Sequence, residues 1–173
     1  MPFPFADQIG KISSFKLHFF KIFFTLFLRR PFSIFKREDF NKYGKEIEFF
    51  KGVTTWFERI NEFGKSLNIK IEHYIISSGQ KEIIEGTTIS KYFKEIFASE
   101  FLYIDEKAVW PAMAVNYTTK TQFIARINKG VLDICEDNAL NKKMLSENRR
   151  ISTRNMIYFG DGLTDIPSMR MIR

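Results

Sequence analysis

The chain has 173 residues, 45% of them hydrophobic and 27% charged, with a net charge of +7 and a single cysteine. That length suffices for one domain with a sizeable core; one cysteine excludes an internal disulfide, and His18 and His73 lack the paired ligands of a zinc site. The charge is uneven: residues 1–45 carry nine Lys or Arg against three Asp or Glu, and the other residues eighteen against seventeen, so the basic character belongs to an amino-terminal leader.

Residues 1–40 form that leader and hold eleven of the twenty Phe. Between Phe15 and Leu28 the polar positions are Lys16, His18, Lys21 and Thr25. With Lys11, Ser14 and Arg29 they follow a helical spacing until Pro31, which describes one amphipathic helix with a broad phenylalanine face. Its apolar part, about 14 residues, spans roughly 21 Å against a hydrocarbon core of roughly 30 Å, too short to cross comfortably. No small-residue cleavage site follows it, so it does not read as a secretory signal. Three readings fit residues 11–30: a helix on an anionic membrane surface, a helix packed on the core, or a sequence standing where a necessary strand should be. The third is favoured. Nucleic acid is the weakest choice of partner, because the apolar excess exceeds what such a surface tolerates.

Residues 41–173 read as an alternating αβ unit. Tyr43, Ile47 and Phe50 share a helical face, and Trp56, Phe57, Ile60, Phe63 and Leu67 repeat the spacing after the caps Thr54 and Thr55. A strand is predicted over 69–77, with helices over 80–85 and 88–96 separated by Gly86. Phe101 to Ile104 and Ala108 to Val115 predict a hairpin turned at Asp105, Glu106 and Lys107, with Pro111 marking an edge strand. A helix is predicted from Thr119 to about Cys135, then a polar loop through Arg150 and a strand over 156–160. Cys135 reads as a reduced core residue of a cytoplasmic protein, His73 as structural, and Trp110 and Tyr117 as buried in the hairpin rather than lining a site. Strands alternating with helices imply a mostly parallel sheet with ligands at its carboxyl edge.

Three groups of chemical residues fall on that edge. Ser77, Ser78 and Gly79 end the first strand just before a helix, where hydroxyls and backbone N–H groups suit an anion. Lys120 lies in the first turn of its helix, where a cation opposes the helix dipole unless it faces an anion. In Met-Ile-Tyr-Phe-Gly-Asp-Gly-Leu-Thr-Asp, residues 156 to 165, Gly160 and Gly162 bracket Asp161, and Asp165 follows four residues on. Carboxylates at a strand's end suit a hydrated Mg²⁺, and the glycines permit unusual backbone angles and close approach.

The order Ser, Lys, Gly-Asp-Gly-x-x-Asp resembles the second, third and fourth motifs of the haloacid dehalogenase superfamily of phosphohydrolases, most closely its phosphoserine-phosphatase-type members. The resemblance covers about residues 41 to 173 and implies an α/β, Rossmann-like sheet flanked by helices. It implies that Ser77, with the Ser78 and Gly79 amides, holds the transferred phosphoryl group of a small phosphorylated molecule. Lys120 would neutralise charge there, Asp161 would ligate Mg²⁺, and Asp165 would support the metal's surroundings or Lys120.

The family's first motif, an Asp-x-Asp pair supplying nucleophile and general acid, is missing. The seven aspartates are Asp7, Asp39, Asp105, Asp133, Asp137, Asp161 and Asp165, and no two are separated by a single residue. The sequence also stops eight residues after Asp165, so it reads as an internal portion, incomplete at both ends. Covalent catalysis requires the nucleophile, and the expectation is a chain inactive or nearly so by itself. The alternatives are a noncatalytic phosphate- or metal-binding pseudoenzyme and a membrane-surface protein acting through its leader. Substrate identity and oligomeric state are not legible.

Overall fold

Strand β1 (His73–Gln80) continues directly into the short helix α3 (Lys81–Glu85), and the chain returns as the long strand β2 (Phe93–Ile104) parallel to β1 in a computed structural model that describes residues 35–172. Strand β3 (Lys107–Met113) then pairs antiparallel with β2, giving a mixed sheet in the order β1-β2-β3. The β2–β3 turn places Asp105 at φ 48° and Glu106 at φ 65°, both left-handed, as the twist of a tight hairpin demands. The leader's proposed helix and Asp7 lie outside the described residues.

Helix α1 (Arg37–Lys45) and helix α2 (Val53–Ser66) precede the sheet. The folded unit reaches back beyond residue 41, because Phe40 is buried with Ile83, Phe101 and Ala108, and Phe35 packs on that cluster. α1 crosses α3 at two glycines: a Cβ on Gly44 would stand 2.1 Å from the Ile83 carbonyl oxygen, and one on Gly86 equally near that of Asn41. No larger residue fits such a crossing without separating the helices. Buried Glu82 fastens α3 to β2 by accepting hydrogen bonds from Gln80 Nε2, the Phe101 N–H and the Tyr103 hydroxyl, and these satisfy a carboxylate that would otherwise be costly inside.

The opposite face is built on Phe97 and Phe123, stacked with centroids 4.7 Å apart and joined by Val115 and Ile127. Phe123 and Ile127 belong to helix α4 (Lys120–Lys129), which packs against β1. α4 ends six residues before Cys135 because Gly130, at φ 79°, lets its own N–H reach the Ile127 carbonyl and the Val131 N–H reach that of Arg126. That is a Schellman ending, which needs a residue tolerant of left-handed backbone. Cys135 is therefore exposed in the following loop rather than buried on a helix. Arg126, itself buried, donates to the Asp133 and Ile134 carbonyls in that loop and to the Asp137 carboxylate just beyond it. A short helix α5 (Asp137–Asn141) and the final helix α6 (Ile166–Ile172) complete the described elements.

Two further predicted elements differ. Residues 93–96 are strand, not helix, because Phe93 and Ile96 pack beside Ile75 in a βαβ unit; only Ser90–Tyr92 form a helical turn, of the 3-10 type. Residues 156–160 form no ladder with any described strand, although Met156 is extended. Trp110 and Tyr117 are exposed rather than buried, Trp110 by 71%. Among the described residues, no helix is long and apolar enough to cross a membrane.

Candidate functional site

The carboxyl end of β1 is shaped by its own serine: Ser77 Oγ accepts the Gly79 N–H at 3.0 Å. The turn thus directs the Gly79 amide onto Ser77, so an incoming anion must compete for it, while the Ser77 hydroxyl proton has no partner fixed by this contact. Ser78 is exposed and its carbonyl accepts from Ser99 Oγ at 3.3 Å. The same Ser99 oxygen accepts the Val115 N–H at 3.0 Å. One hydroxyl on β2 therefore ties the irregular last residues of β1 to the segment leading into α4.

That segment is set by Asn116, whose Oδ1 accepts the N–H groups of Thr118 and Thr119 and the Thr118 hydroxyl. The cap-like role belongs to Asn116, three residues before Thr119, where the helix is predicted to begin, and it makes an Asx turn that starts the helix. Lys120 follows at the first position of α4 and is buried, only 7% exposed.

Its ammonium meets Asp165 Oδ1 at 2.7 Å, and Asp165 is 5% exposed. The Tyr158 hydroxyl donates to the same oxygen at 2.8 Å, while the Gly162 N–H reaches Asp165 Oδ2 at 3.3 Å. A buried cation in a first helical turn is thereby balanced by a carboxylate brought from 45 residues downstream, and the anion that Lys120 faces belongs to the chain itself. Burial opposes ionisation of Asp165, but the bonds from Lys120 and Tyr158 outweigh it and hold its pKa below the ordinary carboxylate value. Burial, reinforced by Asp165, pushes the Tyr158 hydroxyl up to about 12, so it remains a donor at neutral pH.

Gly160 makes this contact feasible: a Cβ there would lie 2.5 Å from Asp165 Cβ. Its role is close approach. Gly162, at φ −137° and ψ 163°, occupies ordinary extended backbone, so no special angle is needed there.

The structure joins Lys120 directly to Asp165 and links the Ser77–Gly79 turn to the α4 entrance through Ser99. No direct hydrogen bond joins Ser77 to Lys120 among the described residues. Asp161 stands exposed in the loop between Gly160 and Gly162. Asp165 spends both carboxylate oxygens on Lys120, Tyr158 and Gly162, and no group of three or more metal-ligating side chains occurs among the described residues. These residues alone do not complete a Mg²⁺ site; Asp161 supplies one carboxylate, and Asp165 is a partner of Lys120.

Ser99, Asn116 and Tyr158 are the site residues that motif spacing missed. Tyr158 was detectable as the second inward position of the alternating Met156–Tyr158 pattern, and Ser99 as a polar interruption of the apolar run 96–98.

No family model and no solved structure matches the chain. An uncharacterized protein of Borreliella burgdorferi is 30% identical over 169 aligned residues, covering 86% of this chain and 57% of the relative. The chain thus spans less than two thirds of that relative's length.

Proposed function

We propose that residues 35–172 are the phosphate-holding portion of a phosphohydrolase resembling the haloacid dehalogenase superfamily, of the phosphoserine-phosphatase type, and that this chain alone turns over little or no substrate. The observation carrying the reading is the buried Lys120–Asp165 pair at the end of the sheet served by the Ser77 turn. A lysine so fixed keeps its side chain in place without the conformational entropy of a surface side chain. In this reading Ser77 donates its hydroxyl to a phosphate oxygen, Lys120 offsets phosphoryl charge, and Asp165 with Tyr158 positions Lys120. Asp161 is the carboxylate proposed for Mg²⁺, which prefers one or two carboxylates, phosphate oxygens and retained waters. The sequence contains no Asp-x-Asp pair, so the nucleophile and a second metal carboxylate are missing, and positioning with electrostatics remains without the covalent step.

Phosphorus NMR titration of inorganic phosphate with Mg²⁺, beside a p-nitrophenyl phosphate assay, tests both halves. The expected result is saturable millimolar phosphate binding, weakened in Ser77→Ala, with hydrolysis no faster than the buffer control. Phosphate binding indifferent to Ser77→Ala and Lys120→Met ends the reading. Turnover that vanishes in Asp161→Ala ends the claim of inactivity instead.

A further inference from the structure

We infer that residues 15–28 of this chain pack as a helix on the bare face of the β2–β3 hairpin, against Leu102, Ile104 and Trp110. Upstream of the hairpin, β2 is covered on both sides: Ile96 and Ala98 pack with Ile84 of α3, and Phe97 with Phe123 of α4. Within the hairpin one side keeps its cover, since Phe101 stacks on Phe40 of α1 and Tyr103 and Ala108 join that cluster. The other side is open. Leu102 stands opposite Trp110 across the ladder and Ile104 follows two residues on, so the three share a face. Leu102 is 50% exposed, Ile104 57% and Trp110 71%. Strands apolar on both faces are those with a layer on each side, and contiguous exposed apolar side chains mark a contact surface.

The route of the chain supplies the occupant. The Ala108 N–H donates to the Phe35 carbonyl at 2.8 Å, and Lys36 bridges Lys107 in the antiparallel sense. Stepping back from Lys36 to Phe35 therefore moves along β3 toward Trp110, and Pro111 has no N–H to extend that ladder. The four residues from Pro31 to Ile34 reach roughly 13 Å, enough to round the edge of one sheet. Upstream of them, the helical spacing of Ser14, His18, Lys21, Thr25 and Arg29 leaves Phe20, Phe23 and Phe27 together on the opposite side. So short a tether gives an effective concentration on the order of millimolar, which favours this segment over a second copy or a separate polypeptide. Of the readings open to residues 11–30, the packed helix is the one that this point of entry supports. It stands apart from the phosphatase reading: phosphate binding can fail without touching it, and its failure leaves Ser77 and Lys120 as they are.

The test uses the full chain carrying Trp56→Phe, which leaves Trp110 as the single tryptophan. Blue-shifted emission is expected, with acrylamide quenching severalfold weaker than that of free tryptophanamide. Amide exchange over 15–28 is expected to be slowed about tenfold or more relative to unstructured chain. Leu102→Lys/Ile104→Lys, at exposed positions, should raise quenching severalfold and release exchange over 15–28. Phe20→Lys/Phe27→Lys, outside the described body, should raise quenching equally, and it decides alone if the hairpin variant loses its fold by circular dichroism. Trp110 quenched as freely as tryptophanamide, or slowed exchange over 15–28 that survives the folded hairpin variant, overturns the proposal. So does protection of Trp110 that grows with protein concentration, which assigns the face to a second copy, and protection that arises only on phosphatidylglycerol vesicles, which assigns the segment to a membrane surface.

Discussion

The described sheet has two margins that differ in how they meet water. β3 is seven residues long, carries Pro111, pairs with β2 through irregular register and takes a bridge from Lys36 at Lys107; each of these devices discourages a further strand. β1 also pairs with β2 through shifted register, but it carries no Pro and takes no bridge from outside the sheet, and Ile157 and Phe159 near it have their side chains in solvent. The difference teaches that composition alone can set two edges of one sheet apart: β3 carries features that discourage a further strand, and β1 the apolar run usual in interior strands.

Substitutions at Phe97, Lys120, Asp165, Ser99 and the Ile157/Phe159 pair sharpen or break that contrast, beginning at the strand both margins share. Phe97, 1% exposed and stacked on Phe123, should cost about 4 kcal/mol as Phe97→Ala, seen as a lowered urea midpoint. Lys120→Met should cost about 3 kcal/mol by stranding Asp165 inside, and Lys120→Met/Asp165→Leu should recover most of it, which a double-mutant cycle reads directly. Asp165 has a depressed folded pKa, so its contribution is complete above the unfolded value of about 3.9 and is lost as pH falls through the lower folded value. Asp165→Asn should remove that acid-dependent component while leaving any other intact.

Ser99→Ala should cost about 1 kcal/mol in thermal or urea unfolding, because the Val115 N–H loses its acceptor and the Ser78 carbonyl its donor. Smallest of all, Ile157→Glu/Phe159→Glu should change stability of the chain by less than about 0.5 kcal/mol. A large loss there would mean that the segment is already covered and that the two margins are alike.

Much of the fold was legible because its patterns are local. The β2–β3 hairpin announces itself by alternation around Asp105 and Glu106, and Pro111 marks an edge strand. α2 follows its aromatic stripe to within a residue at each end. The end of α4 was written in Gly130, but continued apolar periodicity through Leu132 and Ile134 outweighed it; both pack under the sheet from a loop. The strand assignment of 93–96 was lost because Phe93 and Ile96 also suit a helical spacing, and only the parallel pairing with β1 decides. At the site, Lys120 was conspicuous as a cation against a helix dipole, whereas its partner lies too far along the chain for spacing to reveal. Of the two roles read for Gly160, unusual backbone angles and close approach, it serves the second, as empty space for Asp165.

Ser99 holds two loops with one atom. Because its oxygen both gives to Ser78 and receives from Val115, the end of β1 and the entrance to α4 share a common anchor on a third element. Any displacement of one is transmitted to the other through a rigid strand, so the spacing between serine and lysine is gauged by β2, which contributes nothing to the site but its ruler.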